Sequence, residues 1–97
     1  MGMPVLDYSN PLVILKNVGQ TYIVSKECYM FGNTNLVNNG NCTISINDTR
    51  VFTIQESASV PDDISIIIPP TRLNIGDIVK INGTQSMVEG IPVFEVL

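Results

Sequence analysis

The two cysteines, Cys28 and Cys42, carry the most reactive side chains of this chain. A strand-like run at Thr21–Phe31 is followed by a polar segment at Gly32–Asn41. A turn centred near Asn35 would place the two cysteines opposite each other. Facing residues of an antiparallel pair can form a disulfide, which would here add about 3 kcal/mol of stability. Two buried thiols in a reducing compartment explain the same residues, so both alternatives stay open.

The carboxylates offer no recognisable arrangement for catalysis or metal binding. Histidine, the commonest general base and metal ligand, is absent. Asp62 and Asp63 follow Pro61, which is typical of a solvated turn, and no acidic spacing matches a calcium loop. No nucleophile motif and no phosphate-binding glycine loop occurs. The sequence therefore predicts that the protein is not an enzyme and holds neither a metal nor a cofactor.

The charged residues are few and scattered along the chain. Five basic and nine acidic residues give a net charge of −4, and no two basic residues are close in sequence. Because nucleic-acid binding needs clustered cations, nucleic acid is a disfavoured partner. No apolar run reaches the roughly 20 residues that span a bilayer, so no membrane insertion is expected. No signal peptide is visible; the Asn-, Ser- and Thr-rich composition favours a virion or cell-surface location.

Three Asn-x-Thr sequons begin at Asn41, Asn47 and Asn82. All three lie at predicted turns, where asparagine is favoured for its backbone conformation alone. The turn role is therefore preferred, and glycosylation is left as the alternative.

Apolar residues alternate with a period of two, and Ile, Val, Thr and Tyr are abundant, as is typical of β-strands. We expect an all-β fold that forms a small antiparallel β-barrel, with a β-sandwich or jelly-roll-like domain as the runner-up. Residues 1–11 are predicted to form an extended arm and residues 12–97 a single domain. The main predicted strands are Leu12–Asn17, Thr21–Phe31, Ile64–Ile68, Ile78–Val88 and Ile91–Leu97. Pro69-Pro70 should end the Ile-rich strand, and Glu89-Gly90 should form the last hairpin.

A further hairpin can be predicted in register around Asn47-Asp48-Thr49. Apolar residues occupy positions 42, 44 and 46 before the turn and positions 52 and 54 after it. A three-residue loop pairs 46 with 50, 44 with 52 and 42 with 54, which puts both apolar sets on one side. A two-residue loop would put Val51 and Thr53 there instead, because a shift of one residue reverses every side chain. We therefore expect the three-residue loop.

The second half of the chain resembles an OB-fold barrel. The residues that carry the resemblance are Arg50–Glu56, Leu73–Thr84 with its Gly-Asp-Ile-Val strand opening, and Glu89–Val96 with its glycine turn. The segment Glu56–Asp63 is too short for the helix that OB-fold proteins usually place between their third and fourth strands. The resemblance implies a small barrel of five or six strands, and it implies no ligand and no site residues.

The leading hypothesis is a non-catalytic structural or interaction module of a larger assembly. A virion decoration, tail or capsid component, or a cell-envelope protein, would fit the neutral polar composition and the proline-containing arm. Such arms commonly add to the sheet edge of a neighbour, so we expect other protein subunits as partners, in a homo-oligomer or particle. The expected assembly contacts are Val5, Leu6 and Tyr8 in the arm, Leu12 directly after it, and Ile64, Ile66 and Ile68 in the Ile-rich strand.

The alternative hypothesis is an OB-type binding module for single-stranded nucleic acid or an oligosaccharide. Such a module stacks bases or sugars on exposed aromatic rings beside cations. Its binding face would include Tyr22, Lys26 and Lys80.

Overall fold

The computed structural model describes residues 5–36, 40–55 and 66–97. Within these ranges the chain forms eight β-strands, all paired antiparallel, so the all-β prediction is confirmed. The strands are β1 (Val13–Leu15), β2 (Thr21–Ile23), β3 (Cys28–Thr34), β4 (Asn41–Ile46), β5 (Thr49–Gln55), β6 (Ile66–Leu73), β7 (Ile78–Gly83) and β8 (Ile91–Glu95). The first sheet has the order β1-β8-β3-β6, and the second has the order β2-β7-β4-β5.

One hydrophobic core lies between the two sheets. The first sheet contributes Leu15, Met30 and Val93, and the second contributes Ile44 and Ile81, all of them buried in the same cluster. Each sheet ends in two edge strands, so the described residues form no closed barrel. The domain is therefore built as two facing layers, each supplying alternate side chains to the interior.

The run Thr21–Phe31 forms two strands in different sheets, where the sequence predicted one. β2 pairs with β7, whereas β3 pairs with β6 and β8. At the break the backbone N–H of Val24 donates to the carbonyl of Asp77. Lys26 is exposed there, although its even number matches the inward positions of this run. Because Val24 and Cys28 are buried on either side, the alternation continues across the break and conceals it.

The facing of Cys28 and Cys42 that a disulfide between them would require is not found in the described strands. The first cysteine lies in β3 between β6 and β8, and the second lies in β4 between β5 and β7. The hairpin that would have joined them does not form, because β3 and β4 belong to different sheets. Both residues are buried free thiols in this structure.

The hairpin of β4 and β5 matches the predicted register in part. Positions 42 and 54 face each other, as do 44 and 52, but position 46 faces 49 rather than 50. The turn has two residues, Asn47 with φ 53° and Asp48 with φ 65°, which are the left-handed conformations of a type I′ turn. A bulge at Val51 takes up the extra residue, so that both apolar sets still point inward.

Strand β6 runs through Pro69-Pro70, where the sequence predicted its end. β6 is an edge strand that pairs only with β3 among the described strands, so a missing N–H on its outer side is tolerated. The prolines lie at a register shift, where two steps along β3, from Met30 to Gly32, face three along β6, from Ile68 to Thr71.

The predicted hairpin at Glu89-Gly90 is wrong, because β7 and β8 belong to different sheets. Strand β7 ends at Gly83, where a Cβ atom would lie 2.2 Å from the carbonyl oxygen of Asn41. Only glycine allows β7 and β4 to approach so closely. Residues 84–90 then cross to the first sheet, with Met87 buried and its N–H donating to the carbonyl of Lys16.

Candidate interaction surface

The described part of the N-terminal arm lies on its own domain. Leu6 faces Val96 in an antiparallel bridge just beyond β8. The backbone N–H groups of Asp7 and Leu97 each donate, at 2.9 Å, to a carbonyl of the opposite segment. This pattern makes Leu6 and Val96 a closely spaced, non-hydrogen-bonded pair. Leu6 is only 2% exposed, yet it lies outside the central cluster between the sheets.

Residues 8–11 leave the sheet edge between two paired segments. Position 6 faces 96 and position 13 faces 93, so seven steps along the N-terminal segment (13 − 6) span only three along β8 and the residue that follows it (96 − 93). Four extra residues, 8–11, therefore form an excursion from the sheet. The Asp7 carboxylate accepts hydrogen bonds from the Ser9 hydroxyl and, secondarily, from the Ser9 N–H at the start of this excursion, and these bonds lower the pKa of Asp7.

The excursion carries Tyr8 onto a pair of phenylalanine rings on the outer face of the first sheet. The Tyr8 ring centroid lies 5.1 Å from that of Phe94 and 6.1 Å from that of Phe31, and the two phenylalanine centroids are 5.5 Å apart. The ring planes are inclined to one another by 53–88°. We call these three residues the aromatic surface. Tyr8 remains 57% exposed, and the phenylalanines are half-buried.

Strand alternation explains why these rings point outward. In β3 the even residues Cys28 and Met30 are buried, so Phe31 projects to the other face. In β8 the odd residues Ile91 and Val93 are buried, so Phe94 projects to the same outer face. On neighbouring β1, Ile14 is outward and 48% exposed. The outer face of the first sheet is therefore apolar across three adjacent strands.

The charged residues of this region are already paired with opposite charges. Lys26 contacts Glu95 at 3.5 Å, and Arg72 contacts Glu27. These side chains are largely exposed, so each pair contributes at most about 1 kcal/mol to stability. Because each of these cations is paired with a carboxylate, the positive electrostatic potential that would attract a polyanion is small here.

The structure distributes the predicted assembly contacts over several environments. In the arm, Val5 is exposed, Leu6 is buried and Tyr8 joins the aromatic surface. Leu12 is half-buried against the core. In the Ile-rich strand, Ile68 is buried in the core, while Ile64 and the side chain of residue 66 lie outside the described parts.

Sequence reasoning missed Phe31 and Phe94 as surface residues, and it missed Ile67, which is 73% exposed. The signal that could have identified Phe31 and Phe94 was the odd or even position of each residue along its strand. In the runs around Phe31 and Phe94, aromatic residues occupy positions opposite in phase to the buried aliphatic ones. A strand with apolar residues on both of its faces must be packed against other residues on both sides. Here the core of the domain packs only against the inner face.

The residues proposed for a nucleic-acid or oligosaccharide face do not come together. Tyr22 faces Val79, which is buried, and Tyr22 packs against the core. Lys80 faces Thr21 on the opposite side of the same sheet and contacts Asp48 at 3.4 Å. Lys26 lies in the connection between β2 and β3 and contacts Glu95. These three residues therefore share no face.

The thiols of Cys28 and Cys42 have low reactivity in this fold. Both sulfur-bearing side chains are fully buried in the core cluster. Burial raises the pKa of the Cys28 thiol to about 11, helped by the neighbouring carboxylates, and burial also raises the pKa of Cys42. Because the thiolate is the nucleophile, neither side chain is suited to covalent catalysis.

Of the three sequon asparagines, Asn47 has a structural role that the sequence analysis preferred. Its Nδ2 group donates to the Asp77 carboxylate, and its Oδ1 atom accepts from the Ile78 N–H, both at 2.9 Å. These bonds tie the β4–β5 turn to the start of β7. Hydrogen bonds from the Asn74 N–H and, secondarily, from Asn47 lower the pKa of the Asp77 carboxyl.

In the ranges 5–36, 40–55 and 66–97 no cavity large enough for a ligand is found. The same residues contain no group of three or more Cys, Asp or Glu side chains placed to hold a metal ion. No helix that could cross a bilayer occurs in this part of the chain.

Comparison with known proteins adds no assignment. No protein-family model matches the chain, and neither the curated proteins nor the solved structures contain a significant match.

Proposed function

We propose that this protein is a non-catalytic structural subunit that assembles with other copies of itself through the aromatic surface. The observation that carries the proposal is the contact of Tyr8 with Phe31 and Phe94 on an outward sheet face. Exposed aromatic clusters are enriched in protein interfaces, because large rings remove much apolar area from water at a small entropic cost.

The ring geometry favours a protein contact over a stacking platform for bases or sugars. A platform presents ring faces to the ligand, whereas Tyr8 and Phe31 meet edge to face at 88°. Part of the ring faces is therefore occupied within the cluster. What remains exposed is an irregular apolar surface, which suits a shape-complementary protein partner.

The same surface explains why we propose a second copy as the partner. A face related to itself by a two-fold axis brings each aromatic surface against its equivalent. Lys26, Arg72 and Lys80 each contact a carboxylate of the same chain, so these cations are not free to select an acidic partner of another kind. A virion component or a cell-envelope protein is the setting that we propose for such a subunit. For the fold, we propose a β-sandwich-like domain in preference to an OB barrel.

Sedimentation of the purified protein over about a hundredfold range of concentration tests the proposal. We expect a discrete oligomer or larger particles for the natural sequence. Tyr8→Ser should weaken association by about tenfold or more, since interface aromatics typically contribute about 1–2 kcal/mol or more. Removing residues 1–11 should have at least the same effect.

Ile23→Ser is the matched control. Ile23 is 64% exposed, but it lies on the outer face of the second sheet, away from the aromatic surface. Its loss should change the association constant by less than about threefold. A monomer at every concentration, or equal effects of the two substitutions, would refute the proposed role of the aromatic surface.

The alternative function, binding of single-stranded nucleic acid or an oligosaccharide, receives no support from the placement of Tyr22, Lys26 and Lys80. A titration with a labelled oligonucleotide at low salt tests the nucleic-acid version. Binding at micromolar concentration that weakens steeply with salt would revive it.

A further inference from the structure

We propose that residues 5–7 of the arm are exchanged between copies in the assembled state, each arm pairing with the segment 95–97 of a neighbouring subunit. The inference rests on the proposed function, because it requires a neighbour. It names a second binding element, the bridge of Leu6 with Val96, which adjoins the aromatic surface along the chain. Its partner is the same groove of another copy.

The groove is already complementary to the arm. Leu6 is 2% exposed in its bridge with Val96, and two backbone hydrogen bonds flank that bridge. An identical groove is present on each copy, so an arm from a neighbour finds the same bonds and the same apolar seat. Exchange of an identical element conserves these contacts and needs no new surface.

The attachment of the arm is separable from the rest of the domain. Between the bridge and the first paired residue of β1, the excursion at residues 8–11 makes no ladder with β8. It includes Pro11, which cannot donate a ladder hydrogen bond, and the local Asp7–Ser9 hydrogen bonds. Leu6 packs outside the central cluster, so its departure leaves that cluster intact.

The excursion also lies where a neighbour would be. Tyr8, its first residue, contacts Phe31 and Phe94 in the aromatic surface. If two copies meet through this surface, the root of each arm is at the interface. The path from one groove to its equivalent is then short, because both arms start from the same contact.

Exchange should be a property of the oligomer and not of the free subunit. A short linker gives the arm an effective concentration in the millimolar range at its own groove. A separate copy in dilute solution cannot compete with that. Once the aromatic surfaces hold two copies together, each arm has a similar effective concentration at its own groove and at the groove of the other copy.

Disulfide trapping distinguishes the two arrangements. Leu6 and Val96 form a closely spaced antiparallel pair, a geometry that suits a disulfide. We would mix a Leu6→Cys protein with a Val96→Cys protein at a concentration where the natural protein is oligomeric, and then oxidise the mixture. Exchange predicts a covalent dimer joined by the two introduced thiols, identified by peptide mass analysis.

A second pair guards against damage to the buried Leu6. Val5 and Leu97 are next to the bridge and are both largely exposed, so Val5→Cys with Leu97→Cys preserves the packing of the arm. Mixing Val18→Cys with Leu97→Cys is the control, because Val18 follows β1 near the other end of β8. We expect at least about tenfold more mixed disulfide from the arm pairs than from the control.

The outcomes separate this inference from the function on which it rests. Covalent dimers from both arm pairs, formed only where sedimentation shows an oligomer, would establish exchange. An oligomer in which the double variant Leu6→Cys/Val96→Cys forms only the disulfide within one chain would refute exchange and leave the assembly proposal standing. A monomer at every concentration would refute both.

Discussion

Truncation of the buried arm residue, Leu6→Ala, measures how strongly the arm is held on its own domain. The change removes about three buried carbon groups, which corresponds to about 2.4 kcal/mol at 0.8 kcal/mol per group. The arm can leave its groove, so the loss cannot exceed the free energy with which residues 5–7 dock. We therefore expect the free energy of unfolding to fall by about 1–2 kcal/mol.

Leu15→Ala is the comparison. Leu15 is fully buried within β1 and belongs to the central cluster, so its side chain cannot escape by local undocking. A cavity at such a position typically costs about 3–5 kcal/mol. The two leucines thus undergo the same chemical change with different expected losses, and the difference reports the independence of the arm.

Urea unfolding followed by far-ultraviolet circular dichroism is the assay, performed at a concentration where the protein is monomeric because association adds to apparent stability. In thermal unfolding, the Leu6→Ala midpoint should fall by about 5–15 °C. Equal losses for the two leucines would show that the arm is an integral part of the core. A loss below about 0.5 kcal/mol for Leu6→Ala would show that the arm is not docked in solution.

Three further predictions concern the interior and the turns. Gly83→Ala should destabilise the fold by about 2–4 kcal/mol in urea unfolding, because the new Cβ would meet the Asn41 carbonyl oxygen at 2.2 Å. Cys28, with its pKa raised by burial to about 11, should resist a thiol reagent at pH 8 in the native state and react on unfolding. The folded-state pKa of Cys28 lies above the unfolded value of about 8.5, so folding favours the protonated thiol. The contribution of this preference to the free energy of unfolding is complete below the unfolded value and should be lost as the pH rises from about 9 to 11. Asn47→Ala should lower the free energy of unfolding by about 0.5–1.5 kcal/mol, the net value of a typical hydrogen bond, and bring the pKa of Asp77 closer to its ordinary value, as a carboxyl titration by nuclear magnetic resonance would show.

Each of these predictions has a control or a contradicting result. Gly19→Ala changes a glycine that also has positive φ but has no atom within 4 Å of the new Cβ, so it should cost less than Gly83→Ala. Native labelling of Cys28 at the rate of the unfolded chain would contradict its burial. The pKa of the Asp77 carboxyl is lowered mainly by a hydrogen bond from the Asn74 N–H and secondarily by one from Asn47. A lowered pKa adds stability above about pH 4, and this stability is lost on acidification. An unchanged Asp77 titration in Asn47→Ala would contradict that contact.

The inward and outward positions of most strands could be predicted from sequence, because burial alternates with a period of two. The β4–β5 hairpin shows both the power and the limit of this pattern. Its apolar residues at 42, 44, 52 and 54 agree with the observed pairing of 42 with 54 and of 44 with 52. The pattern cannot distinguish a three-residue loop from a two-residue turn followed by a bulge, because both restore the same phase at residue 52.

Membership of a sheet could not be predicted in the same way. β2 and β3 keep a common phase across the break at residues 24–27, although they belong to different sheets. The exposed Lys26, placed in phase with buried residues, was the one local sign of the break. Similarly, Pro69-Pro70 reads as a strand end from local chemistry, and it is accepted because β6 lies at a sheet edge. Edge position is a tertiary property that no local pattern contains.

The aromatic surface depends both on the alternation of side chains along each strand and on which strands are neighbours in a sheet. Only the first can be predicted from sequence, so the sequence predicted this surface only in part. Tyr8 was predicted as a contact because it lies in the arm, while Phe31 and Phe94 were hidden in strands whose aliphatic residues face the core. The three rings meet only because the arm passes β8 and because β3 and β8 are neighbours in one sheet. The arm and the rings are therefore one structural unit, and a perturbation of either should alter both assembly and arm docking. Tyr8→Ser tests this coupling directly, since it removes the contact that joins them without removing any buried side chain.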